Sequence, residues 1–184
     1  MLYGGHSADE HRGGLGIDYA RYDDANYGNL TIRLDNANLN VGAAAVGDTY
    51  NGIEGLAGGV GNDTLYGNAS ANFLIGGGGN DTLFGLAGAD TLTGGLGADK
   101  FRFSSALGAT NVDRIVDFTH GVDDIVLTKA IFAKIGVSLA ATEFRVGTKA
   151  LDANDYIIYD RAHGILYYDA NGSAAGGQIK FATV

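Results

Sequence analysis

The chain has 184 residues, 31 of them Gly, with no Cys and no Pro; that length suits one domain with a small flank. Without Cys it can build no disulfide, zinc–thiolate site, iron–sulfur cluster or Cys nucleophile. A formal charge of −9 with no basic run argues against nucleic acid and anionic membrane surfaces as partners.

No apolar run approaches the roughly 18 residues of a membrane span, and the first twelve residues lack the basic and apolar regions of a signal peptide. Gly is more than twice as frequent as its usual ~7%. Many backbone positions must therefore demand Gly, or a repeat must be built on it.

From the N-terminus, the chain reads in rows of nine. Two degenerate rows come first, GGHSADEHR (4–12) and GGLGIDYAR (13–21); they share an Asp column, Asp9 and Asp18. His11 and Ala20 stand in them where an inward apolar residue is expected, and His11 reads as the mark of a fraying end. Residues 22–48 then interrupt the rows. Within them Leu30–Leu34 (LTIRL) alternates and predicts a strand that packs beside the sheet and extends the core.

Rows resume without a gap over 49–102: TYNGIEGLA, GGVGNDTLY, GNASANFLI, GGGGNDTLF, GLAGADTLT, GGLGADKFR. Position six reads Glu54, Asp63, Asn72, Asp81, Asp90, Asp99, and position eight reads Leu56, Leu65, Leu74, Leu83, Leu92, Phe101. Six Gly-rich residues cannot be helical, since each Gly costs about 1 kcal/mol there, but they can make a tight turn. The triplet that follows has strand character and one inward apolar residue. Two rows thus make one coil, and stacked coils set strands about 4.8 Å apart. Leu65, Leu83 and Phe101 should line one sheet, and Leu56, Leu74 and Leu92 the facing one. The core is one residue deep per strand.

The same stacking places Asp63, Asp81 and Asp99 along one edge, roughly 5 Å apart, where like charges repel by about 1 kcal/mol in water and more at lower dielectric. A hard dication with oxygen ligands relieves this: carboxylates supply charge and turn carbonyls supply further oxygens.

Beyond the rows, Ile115-Val116 and Ile125–Leu127 read as strands, Lys129–Ile135 as a short helix, and Tyr156–Tyr159 with Ile165–Tyr168 as a hairpin. DANGS (169–173) reads as a plain turn. The four His residues are scattered, HSADEH is not a metalloprotease motif, and no catalytic set assembles, so the chain reads as a non-catalytic module. GGGGND lacks the Lys of a phosphate loop.

The rows GGVGNDTLY, GGGGNDTLF and GGLGADKFR resemble the nonapeptide of RTX (repeats-in-toxin) proteins, nearly completely over 58–102 and partially over 4–21 and 49–57. The resemblance implies an all-β, parallel β-roll with β-rich flanks, divided as 1–48, 49–103 and 104–184. It implies one calcium site from Gly59, Gly61, Asp63, Gly76, Gly78 and Asp81, and a second from Gly77, Gly79, Asp81, Gly94, Leu96 and Asp99. A third, on the opposite edge, would use Asn68, Ser70, Asn72, Gly85, Ala87 and Asp90; with neutral Asn72 and Ser70 in place of Gly it should be weaker or empty. Asp117 and Asp124, with Gly95, Gly97 and Asp99, would close the last site. About four or five calcium ions would roughly cancel the net charge.

Segments FRFSS (101–105), DRIVDF (113–118), GVDDIVL (121–127) and 156–184 resemble the C-terminal flank of type I secreted proteins, including serralysin-type proteases and mannuronan epimerase R-modules. That resemblance implies calcium-triggered folding outside a Gram-negative cell after passage through type I secretion machinery, as a module cut from a larger protein. The alternative is a module that binds extracellular polysaccharide or another surface.

Overall fold

The computed structural model describes residues 2–3, 8–23, 27–136, 138–172 and 177–184. The Gly pair and His6 of the first row, and Ser173 of the DANGS turn, lie outside them. Among the described residues there are seventeen strands: β1 Leu2–Tyr3, β2 Glu10–Arg12, β3 Tyr19–Arg21, β4 Thr31–Arg33, β5 Thr49–Asn51, β6 Gly55–Val60, β7 Thr64–Tyr66, β8 Phe73–Gly78, β9 Thr82–Phe84, β10 Thr91–Leu96, β11 Lys100–Phe103, β12 Asp113–Ile115, β13 Asp124–Leu127, β14 Phe144–Val146, β15 Ile157–Asp160, β16 Ile165–Asp169 and β17 Gln178–Thr183.

Each row over 49–102 folds as glycine turn plus strand, and alternate rows fall into different sheets. One sheet runs β1-β3-β6-β8-β10-β12-β17-β16-β15-β14, the facing one β13-β11-β9-β7-β4, and β2 pairs separately with β5. Pairing within the roll is parallel, with Leu56 opposite Leu74 and Leu74 opposite Leu92 in one sheet, and Leu65 opposite Leu83 and Leu83 opposite Phe101 in the other. These side chains are essentially fully buried. The fold is an all-β parallel β-roll, as the row arithmetic requires.

The turns depend on glycine at two columns. Gly59, Gly77 and Gly95 have φ of 118°, 118° and 101°, and Gly61, Gly79 and Gly97 have 132°, 119° and 129°. A Cβ on Gly77 would also collide with the carbonyl oxygen of Gly59. Gly77→Ala is therefore expected to lower stability by about 2–3 kcal/mol, measured by denaturant unfolding in saturating calcium.

The interruption at 22–48 belongs to the roll. β4 pairs with β7, Ile32 opposite Leu65, so LTIRL continues the sheet instead of packing beside it. Its outer edge is bridged antiparallel by Val41 to Thr31. His11 is not at a fraying end. It is buried, stacks on Tyr50 at 5.5 Å, and its Nε2 lies 3.3 Å from Asp48 Oδ2. Tyr22 donates its hydroxyl proton to the same Asp48 oxygen, and Asn40 Nδ2 donates to Tyr50 Oη at 3.0 Å. This polar cluster ties the second strand to the interruption through β2 and β5.

The expected helix at Lys129–Ile135 is instead a series of turns, with Phe132 N–H on Thr128 O and Ile135 N–H on Phe132 O. Helical continuation fails because the Lys134 N–H donates to Tyr168 Oη at 3.0 Å, while Phe132 packs edge-on against Tyr168 and Phe181. The one short helical turn among the described residues is 3₁₀, at Ala37–Leu39. The predicted hairpin forms, Ile157 opposite Tyr168, and β17 joins it to β12 of the roll.

Candidate metal centre

The position-six carboxylates form a continuous ladder because each coil repeats the last. Asp63 Oδ1 accepts the Leu30 N–H at 2.7 Å, Asp81 Oδ1 accepts the Asp63 N–H at 2.7 Å, and Asp99 Oδ1 accepts the Asp81 N–H at 2.8 Å. On the opposite edge Asp90 Oδ1 accepts the Asn72 N–H at 2.8 Å. The second oxygens differ. Oδ2 of Asp63, Asp81, Asp90 and Asp99 is buried and has no hydrogen-bond partner, and each of these residues is 1% exposed. A buried carboxylate oxygen without a partner costs several kcal/mol unless something neutralises it.

Each free oxygen lies over the first glycine of its own row, and those of Asp63 and Asp81 lie beside a carbonyl of the next coil. A Cβ on Gly58 would strike Asp63 Oδ2 and sit 2.9 Å from the Gly76 oxygen; on Gly76 it would strike Asp81 Oδ2 and sit 2.6 Å from the Gly94 oxygen. A carboxylate oxygen and a backbone carbonyl oxygen thus come together in each place, a pairing that suits a hard dication. Among the described residues no three His, Cys, Asp or Glu side chains converge as a closed cage; the donor set is carboxylate plus backbone carbonyl.

Burial, then the neighbouring Asp63 and Asp99 charges, push the Asp81 carboxyl up to about 7 against the pull of its backbone hydrogen bond. Burial raises Asp63 and Asp99 as well, with Asp123 and Asp117 adding to Asp99. No Lys or Arg occurs between Arg33 and Lys100 to offset this charge.

The structure stacks the expected ligand turns on one another, with Gly59 opposite Gly77 and Gly77 opposite Gly95. Two expected carbonyls are partly used: Gly78 O accepts the Gly61 N–H and Leu96 O the Gly79 N–H, each at 2.7 Å, leaving one lone pair apiece. The rung at Asn72 offers no unsatisfied oxygen. Its Oδ1 accepts the Asn68 N–H at 2.7 Å and its Nδ2 donates to Glu54 O at 3.3 Å.

At the end of the first edge Asp117 accepts from Gly94 N–H and Gly95 N–H at 2.9 and 2.8 Å. The carboxylate beneath Asp99 is Asp123, not Asp124: Asp123 Oδ1 accepts the Asp99 N–H at 3.0 Å. The register of β13, Asp124 opposite Lys100 and Ile125 opposite Phe101, turns Asp124 outward, where it is exposed.

Row reading missed two features. Asn side chains at position five form a second ladder, with Asn62 N–H on Asn29 Oδ1 and Asn80 N–H on Asn62 Oδ1 at 2.8 and 2.7 Å; the repeated GND triplets carried that signal. Asp113 continues the opposite edge by accepting the Asp90 N–H at 3.1 Å, outside any row. The outer face of the five-stranded sheet carries a stacked column in which Arg33 covers Tyr66, Tyr66 stacks on Phe84 at 4.2 Å, and Arg102 lies over Phe84.

A family model described as RTX calcium-binding nonapeptide repeat (4 copies) matches residues 48–83 and 66–101. No curated protein matches the chain. Among solved structures it is similar to the solution structure of the AlgE6R3 subunit from the Azotobacter vinelandii mannuronan C5-epimerase, at 22% identity over 91% of this chain and 71% of that one, with a TM-score of 0.31.

Proposed function

The chain belongs to the RTX calcium-binding repeat family through residues 48–101, and we propose that it is a module whose folding is driven by calcium. The observation that carries this reading is the set of four buried carboxylate oxygens without partners, Oδ2 of Asp63, Asp81, Asp90 and Asp99. Asp63 with Gly76, and Asp81 with Gly94, would hold the ions of the first edge, and Asp99 would do so through its own free Oδ2. Bound calcium would supply positive charge where the turns concentrate negative charge. Binding free energy then adds to folding free energy.

The export setting is part of the proposal. At low cytosolic calcium the turns repel one another, and a core one side chain deep per strand does not offset the conformational entropy of ordering nine residues per row. The chain stays unfolded, which suits threading through a type I export channel. Outside a Gram-negative cell, sites with Kd of about 10⁻⁴–10⁻³ M fill. In this reading 49–103 carries the calcium-binding rows, 1–48 and 104–184 flank them in the sequence, and any catalysis belongs to a larger parent chain. Polysaccharide binding is the other candidate role; the Tyr66 and Phe84 rings already stack on each other and on Arg33 and Arg102, so their faces offer no free sugar platform.

The test is far-UV circular dichroism of the chain in chelator, titrated with calcium. A cooperative gain of β-structure is expected. A chain that remains compact and melts at the same temperature in chelator and in calcium overturns the reading.

A further inference from the structure

The carboxylates of this chain fall into two classes. In the rows, the second oxygens of Asp63, Asp81, Asp90 and Asp99 are buried without partners. Among the described residues of 8–54, no buried side-chain nitrogen or oxygen is left without one.

Asp48 carries the contrast. Its Oδ1 accepts the Asp9 N–H at 2.8 Å, the same bond by which Asp81 Oδ1 holds the Asp63 N–H. Asp48 and Asp81 are equally buried, each 1% exposed. The Oδ2 of Asp48, however, accepts the Tyr22 hydroxyl proton and lies 3.3 Å from His11 Nε2. Burial raises the Tyr22 hydroxyl, so this donor keeps its proton. The oxygen that the rows leave open is closed here by the protein itself. Glu54 Oε2 likewise accepts the Asp18 N–H at 3.0 Å. The arginines follow the same division. Arg12 pairs with Glu10 at 2.8 Å, Arg33 with Asp35 at 2.7 Å, and Arg21 with Asp23, whereas no Lys or Arg follows Arg33 until Lys100.

This self-satisfied segment is also the surface on which the rows begin. β3 and β4 take β6 and β7 as parallel partners. The Leu30 N–H donates to Asp63 Oδ1 at 2.7 Å, and Asn29 Oδ1 accepts the Asn62 N–H at 2.8 Å. Residues 29 and 30 thus offer the first coil the contacts that each coil offers the next. In a solenoid each unit is stabilised by its neighbours, and the first unit to form has none unless an end is already built.

We propose that the described residues of 8–54 form a seed that closes without calcium and is the template on which the first calcium-dependent coil stacks. The proposal rests on the calcium reading for the rows and exempts this segment from it. Tyr22, Ile32, Ala44 and Ala45 are fully buried and give the seed a core. A unit of under about 60 residues is only marginally stable alone, so the seed opens readily and does not hinder passage of the chain through a channel. Calcium then acts on a chain that already holds one end of the roll, and coils add from Asp63 toward Asp99.

The test is hydrogen exchange of the full chain, read amide by amide by NMR, in chelator and in saturating calcium. In chelator, the wild-type amides of Asp9, Thr31, Val41 and Thr49, each bonded within the segment, are expected to be protected at least about tenfold more than those of Gly67 and Thr82 in the rows. Tyr22→Phe is expected to erase that contrast in chelator while the row amides stay protected in calcium. Asp48→Asn is expected to bind as many calcium ions as wild type by isothermal titration. Should Tyr22→Phe not fold even in calcium, the wild-type contrast decides. Equal, low protection of both groups in chelator overturns the seed and leaves the calcium reading standing. A contrast that survives intact in Tyr22→Phe, or the loss of one ion in Asp48→Asn, overturns the closed state of Asp48 and with it the proposal. Full protection of the row amides in chelator overturns the calcium reading itself.

Discussion

Asp81→Asn is expected to raise the calcium concentration at the folding midpoint by about tenfold or more, equivalent to at least about 1.4 kcal/mol. Asp81 occupies the middle of the first edge: its Oδ1 holds the Asp63 N–H, and its Oδ2 faces the Gly94 carbonyl with no other partner. The substitution keeps an amide oxygen for the Asp63 N–H and removes one charge between two adjacent cation positions. Asn is the better probe than Ala, which would also orphan that N–H. The fold tolerates an amide in this column, since Asn72 stands there and satisfies itself on Asn68 and Glu54. The converse variant, Asn72→Asp, should lower the midpoint by giving the opposite edge a carboxylate at its empty rung. Both are read from circular dichroism during calcium titration at fixed pH and salt. An unshifted midpoint for Asp81→Asn would show that its carboxylate is not shared between ions.

In chelator, acid should do in part what calcium does. The folded-state values of Asp81 and Asp113 are pushed up to about 7 and that of Asp90 to about 8, in each case first by burial, and Asp63 and Asp99 are raised as well. An unfolded Asp titrates near ~3.9. The native state therefore holds protons that the unfolded state has released, and stability falls with rising pH across that window. The contribution is fully present below about pH 4 and is lost as pH rises through about 7 to 8. Asp23, held low by its hydrogen bond to Arg21, acts in the opposite sense, but only as pH falls through its own lowered value. Metal-free protein should thus hold more β-structure at pH 5 than at pH 8, while calcium affinity should be weaker at pH 5 because binding must displace protons. Circular dichroism in chelator from pH 4 to 9 tests this, and a β-structure content that climbs with pH would contradict it.

Residue order alone determined the coil and its two core columns. A turn that only glycine can make and an inward residue at fixed spacing leave one way to bury Leu56, Leu74 and Leu92 on one side and Leu65, Leu83 and Phe101 on the other. It also determined which edge carries stacked carboxylates, because an 18-residue coil returns Asp63, Asp81 and Asp99 to the same place. Where the period ended, spacing stopped being informative. Only the register of β13 chose Asp123 over Asp124 beneath Asp99, and a shift of one residue reverses the face to which a side chain points. Only the tertiary packing of Phe132 and the hydroxyl of Tyr168 broke the expected helix, and only the pairing of β2 with β5 brought His11 to Asp48, across a separation of 37 residues. Periodic contacts are local and repeat in the chain; these others close over long separations, so their partners are set by the packed fold and leave no period to read.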